Sequence, residues 1–320
     1  MRIALINSGL GLLAPAAALH RMRPDADLVL APDPDGMPWG PRTPDDIADR
    51  ALRCARAALR YQPDILVMAC NTGSVHALEA MRAEFEPDVP VIGTVPAIKP
   101  AAAGYQKVAI WATVATTAST YQRRLIAEFA GPADVTPVAC PGLADAVDAG
   151  DQSATAAAVA IAASRTPAGC EAVVLGCTEY ELVAEQIAAA VPGAVTFGSA
   201  DAVAAQALRR IPAASGIASK IASTRRPSFA AAPANLQERP VVTDHGEVRS
   251  GATRDAAIEL SAGSAAKQAH GRLGVVRVLL SGRPSGLPQA ALRYPEGRLL
   301  APLVVAGDEL EPMARPVTGR

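Results

Sequence analysis

The sequence predicts an α/β protein made of two similar halves, each a mostly parallel sheet with helices on both faces. Three observations carry this. From residue 1 to about 211, short β-branched runs alternate with Ala-, Leu- and Arg-rich stretches of helical length, as repeated βα units do. Eight such runs fall into two sets of four that echo each other in order and spacing. The chain's 320 residues suffice for about two domains of ~150, and its 50% apolar content is ample for their cores.

The first run, Ile3–Ile6, predicts a strand that Asn7-Ser8-Gly9 turns into a helix. A leader peptide is the competing reading of Met1 to Leu19. One Arg makes a thin charged start, however, and Asn7-Ser8-Gly9 interrupts the apolar stretch. Leu28–Ala31 is the second strand. Thr43-Pro44-Asp45-Asp46 then starts a helix, with a hydroxyl N-cap, Pro at the first position and acids in the first turn. Ile65–Ala69 and Val91–Gly93 complete the first set. Val108–Ala112, Val135–Val138, Ala172–Leu175 and Val195–Phe197 form the second.

The echo is specific. Ile3-Ala4-Leu5-Ile6 recurs as Val108-Ala109-Ile110-Trp111, an offset of 105, and Asp64 to Thr72 recurs as Glu171 to Glu179, an offset of 107. Pro90 to Gly93 recurs as Gly193 to Gly198. The expected organisation is a first half over 1–99, completed by part of the C-terminal region, and a second half over 100–211. A linker or disordered stretch over 212–270 follows, rich in Ala, Ser, Pro and Arg. The remainder, 271–320, is a C-terminal extension with closing strands at Val275–Leu280 and Leu299–Val305. Residues 1–212 carry 16 basic and 22 acidic side chains against 14 and 9 in the rest, so the tail is the basic part.

Composition excludes some roles. A formal net charge of −1 leaves no broad basic face to displace counterions from nucleic-acid phosphates. The apolar runs fall short of the ~18 residues of a membrane span. Five Cys, an odd number without a C-x-x-C pair, point to free thiols in a reducing cytoplasm.

Two of those Cys recur with the repeat. Cys70 and Cys177 each end an apolar strand and precede a small polar residue and a helix start. Ligands of open α/β sheets bind at the carboxyl ends of the strands. A helix N-terminus there is expected to favour the thiolate. Two thiols related by a pseudo-twofold axis would face each other across the cleft between the halves. That suits inversion of a stereocentre, in which one base removes a proton from one face and an acid delivers one to the other. Cys54, on a helical stretch, and Cys170 read as packing residues; Cys140 ends a strand beside Pro141-Gly142, where a structural role is the favoured reading and lining the cleft the alternative.

Met68-Ala69-Cys70-Asn71-Thr72, Leu175-Gly176-Cys177-Thr178, the Pro38-Trp39-Gly40 turn and Asn7-Ser8-Gly9 together resemble the cofactor-independent aspartate/glutamate racemases, glutamate racemase most closely. The resemblance covers about residues 1–210. It implies two flavodoxin-like α/β halves with the active site in the cleft between them. It also implies racemisation of L- and D-glutamate without a cofactor, with Cys70 and Cys177 alternating as base and acid at Cα. Asn7, Ser8, Trp39, Gly40, Asn71, Thr72, Thr178 and Glu179 occupy the positions that bind the amino acid. The implied setting is a cytoplasmic homodimer that supplies D-glutamate for peptidoglycan, and so for cell-wall biogenesis and cell shape, with no nucleic-acid or membrane partner. The residues agree with this chemistry: the four Lys (99, 107, 220, 267) lack a Schiff-base context, and hydroxyls and amides suit a zwitterion.

Two positions depart from the family pattern. Residue 7 is Asn where Asp is usual, and residue 179 is Glu where His is usual. Glu179 is expected to raise the pKa of Cys177 unless it accepts that thiol's proton. The carboxylate is thus read as moved from the Cys70 side to the Cys177 side. Competing readings are an aspartate racemase of the same family and a catalytically degenerate amino-acid-binding protein. A dinucleotide site is suggested by Gly9-x-Gly11-x-x-Ala14 with Asp33 about 20 residues on, but it leaves both Cys motifs unexplained. His20, His76, His245 and His270 lack metal-ligand spacing.

Overall fold

Strands written as near-continuous apolar runs need cover on both faces. The computed structural model, which describes residues 1–211 and 272–305, provides it for two sheets. In chain order the strands are β1 (Arg2–Asn7), β2 (Asp27–Pro32), β3 (Ile65–Met68), β4 (Val91–Gly93), β5 (Lys107–Ala112), β6 (Asp134–Ala139), β7 (Ala172–Leu175), β8 (Val195–Phe197), β9 (Val276–Leu280) and β10 (Arg283–Ser285). One sheet runs β10-β9-β2-β1-β3-β4 and the other β6-β5-β7-β8, parallel except where β10 returns along β9. The linker or disorder expected over 212–270 lies outside the described residues, as do Lys220, Lys267, His245 and His270.

Both sheets share one order, since β2-β1-β3-β4 in the first is β6-β5-β7-β8 in the second. The register repeats as well. Ile3 lies against Leu28 and Ile65, and Val108 against Val135 and Ala172. These are the residues that the internal repeat aligns.

Alternate residues of each central strand enter different layers. Ala4 and Ile6 pack under α2 (Pro44–Leu59) and α4 (Leu78–Phe85), against Ile47, Ala51, Ala55 and Met81. Val108 and Ile110 pack with α5 (Ile98–Gly104) and α7 (Thr120–Phe129). The opposite faces, carrying Ile3, Leu5, Ala109 and Trp111, meet in one shared core with α1 (Leu13–Met22), α9 (Gln152–Arg165), α10 (Ala184–Ala190) and α11 (Ala200–Arg210). Buried Ala16 and Ala18 of α1 share it with Ala204 and Ala207 of α11, which explains the use of Ala over aromatics. Helix α2 begins as its sequence predicts, with Thr43 Oγ1 accepting from the Asp46 N–H at 3.3 Å and Pro44 in the first turn.

The C-terminal region returns to the first sheet. β9 pairs in parallel with β2, Leu28 against Val276 and Leu30 against Val278. Its Leu279 packs under α2 with Val29 and Cys54. The strand expected at Leu299–Val305 is different: α12 (Pro295–Leu300) and a 3-10 turn (Ala301–Leu303) occupy most of it, and only Val304 bridges to Val276. Pro295 at the first helical position and Pro302, without an N–H for a ladder, explain the change.

Leu279→Ala is expected to cost about 2–5 kcal/mol by cavity formation in urea unfolding. Leu273→Ala, at a position 59% exposed, is expected to stay within about 0.5 kcal/mol.

Candidate active site

β3 and β7 deliver their cysteines to the carboxyl edges of the two sheets. Cys70 caps α3 (Asn71–His76) in an extended conformation, and its Sγ accepts from the Gly73 N–H at 3.4 Å. Cys177 holds the equivalent place before a 3-10 turn, Thr178–Val183. Both line one cavity of about 410 Å³, together with Ser8, Trp39, Gly40, Asn71, Thr72 and Glu179. Asn7 and Thr178 lie behind this lining, buried and bonded to each other. Exposed Lys99 lies on α5, while Cys54 and Cys170 are buried away from the cavity.

A hydrogen-bonded chain joins the halves beneath the cavity floor. The Asn7 amide donates to the Ala69 carbonyl at 2.6 Å and to Thr178 Oγ1 at 3.2 Å. The Thr178 hydroxyl donates to Glu179 Oε2 at 3.2 Å, and the Cys177 thiol donates to the same oxygen at 2.8 Å. Asn7 Oδ1 accepts from Ser8 Oγ and the Gly9 N–H. Asn71 adds a second tie, donating to the Gly176 carbonyl at 2.8 Å. An Asp at position 7 could not donate to Ala69 or Thr178, so the amide matches a carboxylate at 179.

The paired glycines are explained here. A Cβ on Gly11 would overlap Thr178 Oγ1 and press on Asn7 and Glu179, and one on Gly9 would overlap the Asp148 carboxylate. Their role is close approach to side chains, which answers the dinucleotide reading. Asp33 is taken as well: it accepts from Trp39 Nε1 at 3.1 Å.

Electrostatics corrects one expectation. The helix start does not leave Cys70 a thiolate. Burial, with Glu179 second, pushes its pKa up to about 11, against smaller lowering by Gly73 and Ser8. Burial and then Glu179 likewise raise Cys177 well above the ordinary thiol value, as its neighbour predicts. Among the described residues lining the cavity, every charged type is acidic: Asp145, Asp148 and Glu179. Asp148 sits on α8 (Leu143–Ala149), where Oδ1 accepts from the Leu10 N–H at 2.7 Å. Burial, then Glu179, raises it well above the usual carboxylate range. Glu179 Oε1 and Asn71 Oδ1 are buried acceptors with no donor among the described residues.

Sequence reasoning missed Thr113, Thr116 and Asp148 in the lining, and Cys140 lines it too. Thr113 was findable, because the repeat offset of 105 maps Ser8 onto it. It caps α6 (Val114–Ala118) and donates to Thr116 Oγ1 at 3.0 Å. Asp148 carries no such signal, being one of two acids, with Asp145, on a short helix of otherwise small and apolar residues.

The family model for Asp/Glu/hydantoin racemases matches residues 11–207. A glutamate racemase of Herpetosiphon aurantiacus is 34% identical over 218 residues, covering 66% of this chain and 85% of the relative. One of Pseudomonas putida (strain W619) is 33% identical, covering 66% and 82%. Among solved structures, Escherichia coli glutamate racemase in complex with L-glutamate and activator UDP-MurNAc-ala superposes with a TM-score of 0.62 at 28% identity, covering 67% of this chain and 84% of that one. Glutamate racemase from Aquifex pyrophilus gives 0.54 at 30% identity, covering 66% and 84%.

Asp148→Asn keeps an acceptor for Leu10 and removes a carboxyl whose pKa the fold raises. Such a group costs no stability below its unfolded pKa near 3.8 and progressively more as pH climbs toward its folded value. Thermal melts are therefore expected to show a gain for Asp148→Asn that is small at pH 4 and larger at pH 8, growing by up to about 1.4 kcal/mol per pH unit in between.

Proposed function

As a member of the Asp/Glu/hydantoin racemase family, the chain is one for which we propose interconversion of L- and D-glutamate by proton transfer at Cα between Cys70 and Cys177. The observation that carries this is the placement of two thiols at equivalent strand ends, one from each half, on one cavity, Cys70 buried and Cys177 half-buried. A thiolate takes the Cα proton from one face and becomes a thiol. The opposite thiol gives its proton to the other face and becomes the thiolate. The stereocentre is inverted and the pair is left ready for the reverse turn.

Glu179 gives the Cys177 side its own proton acceptor. With Cys177 as the base, the carboxylate 2.8 Å from Sγ takes the thiol proton and returns it when Cys177 acts as the acid. The Glu179 carboxylate and the Asn71 amide, both lining the cavity, suit the substrate ammonium, whose charge offsets the surrounding carboxylates and the thiolate. The hydroxyls of Ser8, Thr72 and Thr113 suit the substrate carboxylates. D-Glutamate supply for peptidoglycan follows as the role, in a cytoplasmic setting and with a second copy as partner. No helix among the described residues is long and apolar enough to cross a membrane.

Chiral chromatography on L-Glu and L-Asp is expected to show D-Glu formation and little turnover of Asp. Cys70→Ala and Cys177→Ala are each expected to abolish racemisation while solvent deuterium still enters Cα from one enantiomer only. Binding without any wash-in would sink the racemase reading.

The carboxylate at 179 and the amide at 7 are expected to depend on each other. Asn7→Asp alone should lower kcat in both directions by about tenfold or more, since it removes two donors and adds a like charge near Glu179. Combined with Glu179→His it should recover much of that loss. Additive losses in the double variant would refute the pairing.

A further inference from the structure

We propose that Asp33 is a positioning residue for substrate binding: it fixes the Trp39 wall of the cavity, and through Ser281 it makes the C-terminal strand β9 part of the site's architecture. The proposal deepens the racemase reading and rests on it for its kinetic readout.

Trp39 lines the cavity from a loop, yet its side chain is only 1% exposed. A loop indole needs an anchor to hold one orientation, and its single polar atom has one. Nε1 donates to Asp33 Oδ2 at 3.1 Å. Asp33 is 4% exposed, follows β2 directly and is held from three further sides. Its N–H donates to the Asn7 and Ser8 carbonyls at the end of β1. Oδ2 also accepts from Arg50 of α2 at 3.2 Å. Oδ1 accepts from the Ser281 hydroxyl at 3.0 Å.

Ser281 makes the arrangement more than local. It follows β9 at a left-handed φ of 48°, next to Gly282, which turns the chain into β10. That turn aims its hydroxyl at the loop carrying Trp39, where it also accepts from the Asp35 N–H at 3.1 Å. Arg283 pairs with Asp35 at 2.6 Å. A Cβ on Gly36 would overlap both Asp33 and Arg50, so the loop lies directly on the pair. The carboxylate thus receives an indole N–H, a guanidinium and a hydroxyl in a place closed to water, where each bond to a charged acceptor is at its strongest. No neutral side chain of that size could accept all three. On the other side, the Trp39 ring lies 3.0 Å from where a Cβ on Gly73 would stand, so the anchored indole abuts the turn that begins at Cys70.

Ser281→Gly removes the hydroxyl and tolerates the left-handed backbone. Trp39→Phe keeps a ring and removes the indole donor. Each is expected to raise KM for glutamate about five- to thirtyfold, with kcat within about twofold. In the Trp39→Phe background, Ser281→Gly should change KM by less than about twofold, because the two act along one chain. Trp39 emission, isolated by Trp111→Phe, should become more accessible to acrylamide quenching in Ser281→Gly.

Unchanged KM in either single variant, or fully additive effects, overturns the proposal. If the parent protein racemises neither glutamate nor aspartate, the racemase reading fails instead. The quenching comparison then still decides whether Ser281 positions Trp39.

Discussion

Two thiols and two deeply placed carboxylates share one cavity to which no basic side chain among the described residues contributes, and the site is arranged around that concentration of like charge. Burial alone raises Cys70, Cys177 and Asp148, and each is raised further by Glu179. The protein answers with neutral donors: Asn7, Thr178 and the Leu10 amide. Such a site is costly without a cation, and a zwitterionic amino acid brings one on its ammonium. Substrate binding and charge neutralisation are then one event. Under the proposed mechanism, the bound form is the state in which a thiolate is accessible.

Duplication supplied the framework, and divergence supplied the chemistry. The shared sheet order brings Cys70 and Cys177 to matching strand ends, but their neighbours no longer match. Asn71 reaches across to a backbone carbonyl, whereas its counterpart Thr178 feeds a carboxylate. Asp33, which anchors Trp39, corresponds by register to Cys140, a thiol lining the opposite wall. Two faces of a substrate that differ only in handedness therefore meet two chemically different walls. That is compatible with racemisation because the two enantiomers have equal free energy, whatever the difference between the two walls.

Much of this was legible in the residues. Strands buried on both faces must be apolar throughout, so the runs that become β1, β2, β3, β5 and β7 stand out most clearly. A repeat that conserves register, as Ile3 with Val108 and Cys70 with Cys177 do, is visible without any structure. Asp148 was hidden because a helix of small residues accepts one acid at little local cost, and only the tertiary approach of Gly9 reveals its purpose. The retreat of Asn7 and Thr178 behind the lining was hidden for a related reason: sequence order reports which strand end a side chain leaves, while hydrogen-bond competition decides which way it turns. Leu299–Val305 misled because an apolar run of that length suits either a strand or the buried side of a helix. There the two prolines were the better guide.

The pairing of β9 with β2 joins residues some 248 positions apart in the chain. During synthesis the first sheet emerges with one edge of β2 unpaired, and the strand that covers it follows only after the whole second half. Loop closure over such a distance is slow relative to local helix formation. The Trp39 wall therefore waits on a strand made after both halves. Cleavage between the second half and β9 before that pairing forms would leave the β2 edge uncovered and Asp33 without the Ser281 hydroxyl, with the second sheet unaffected.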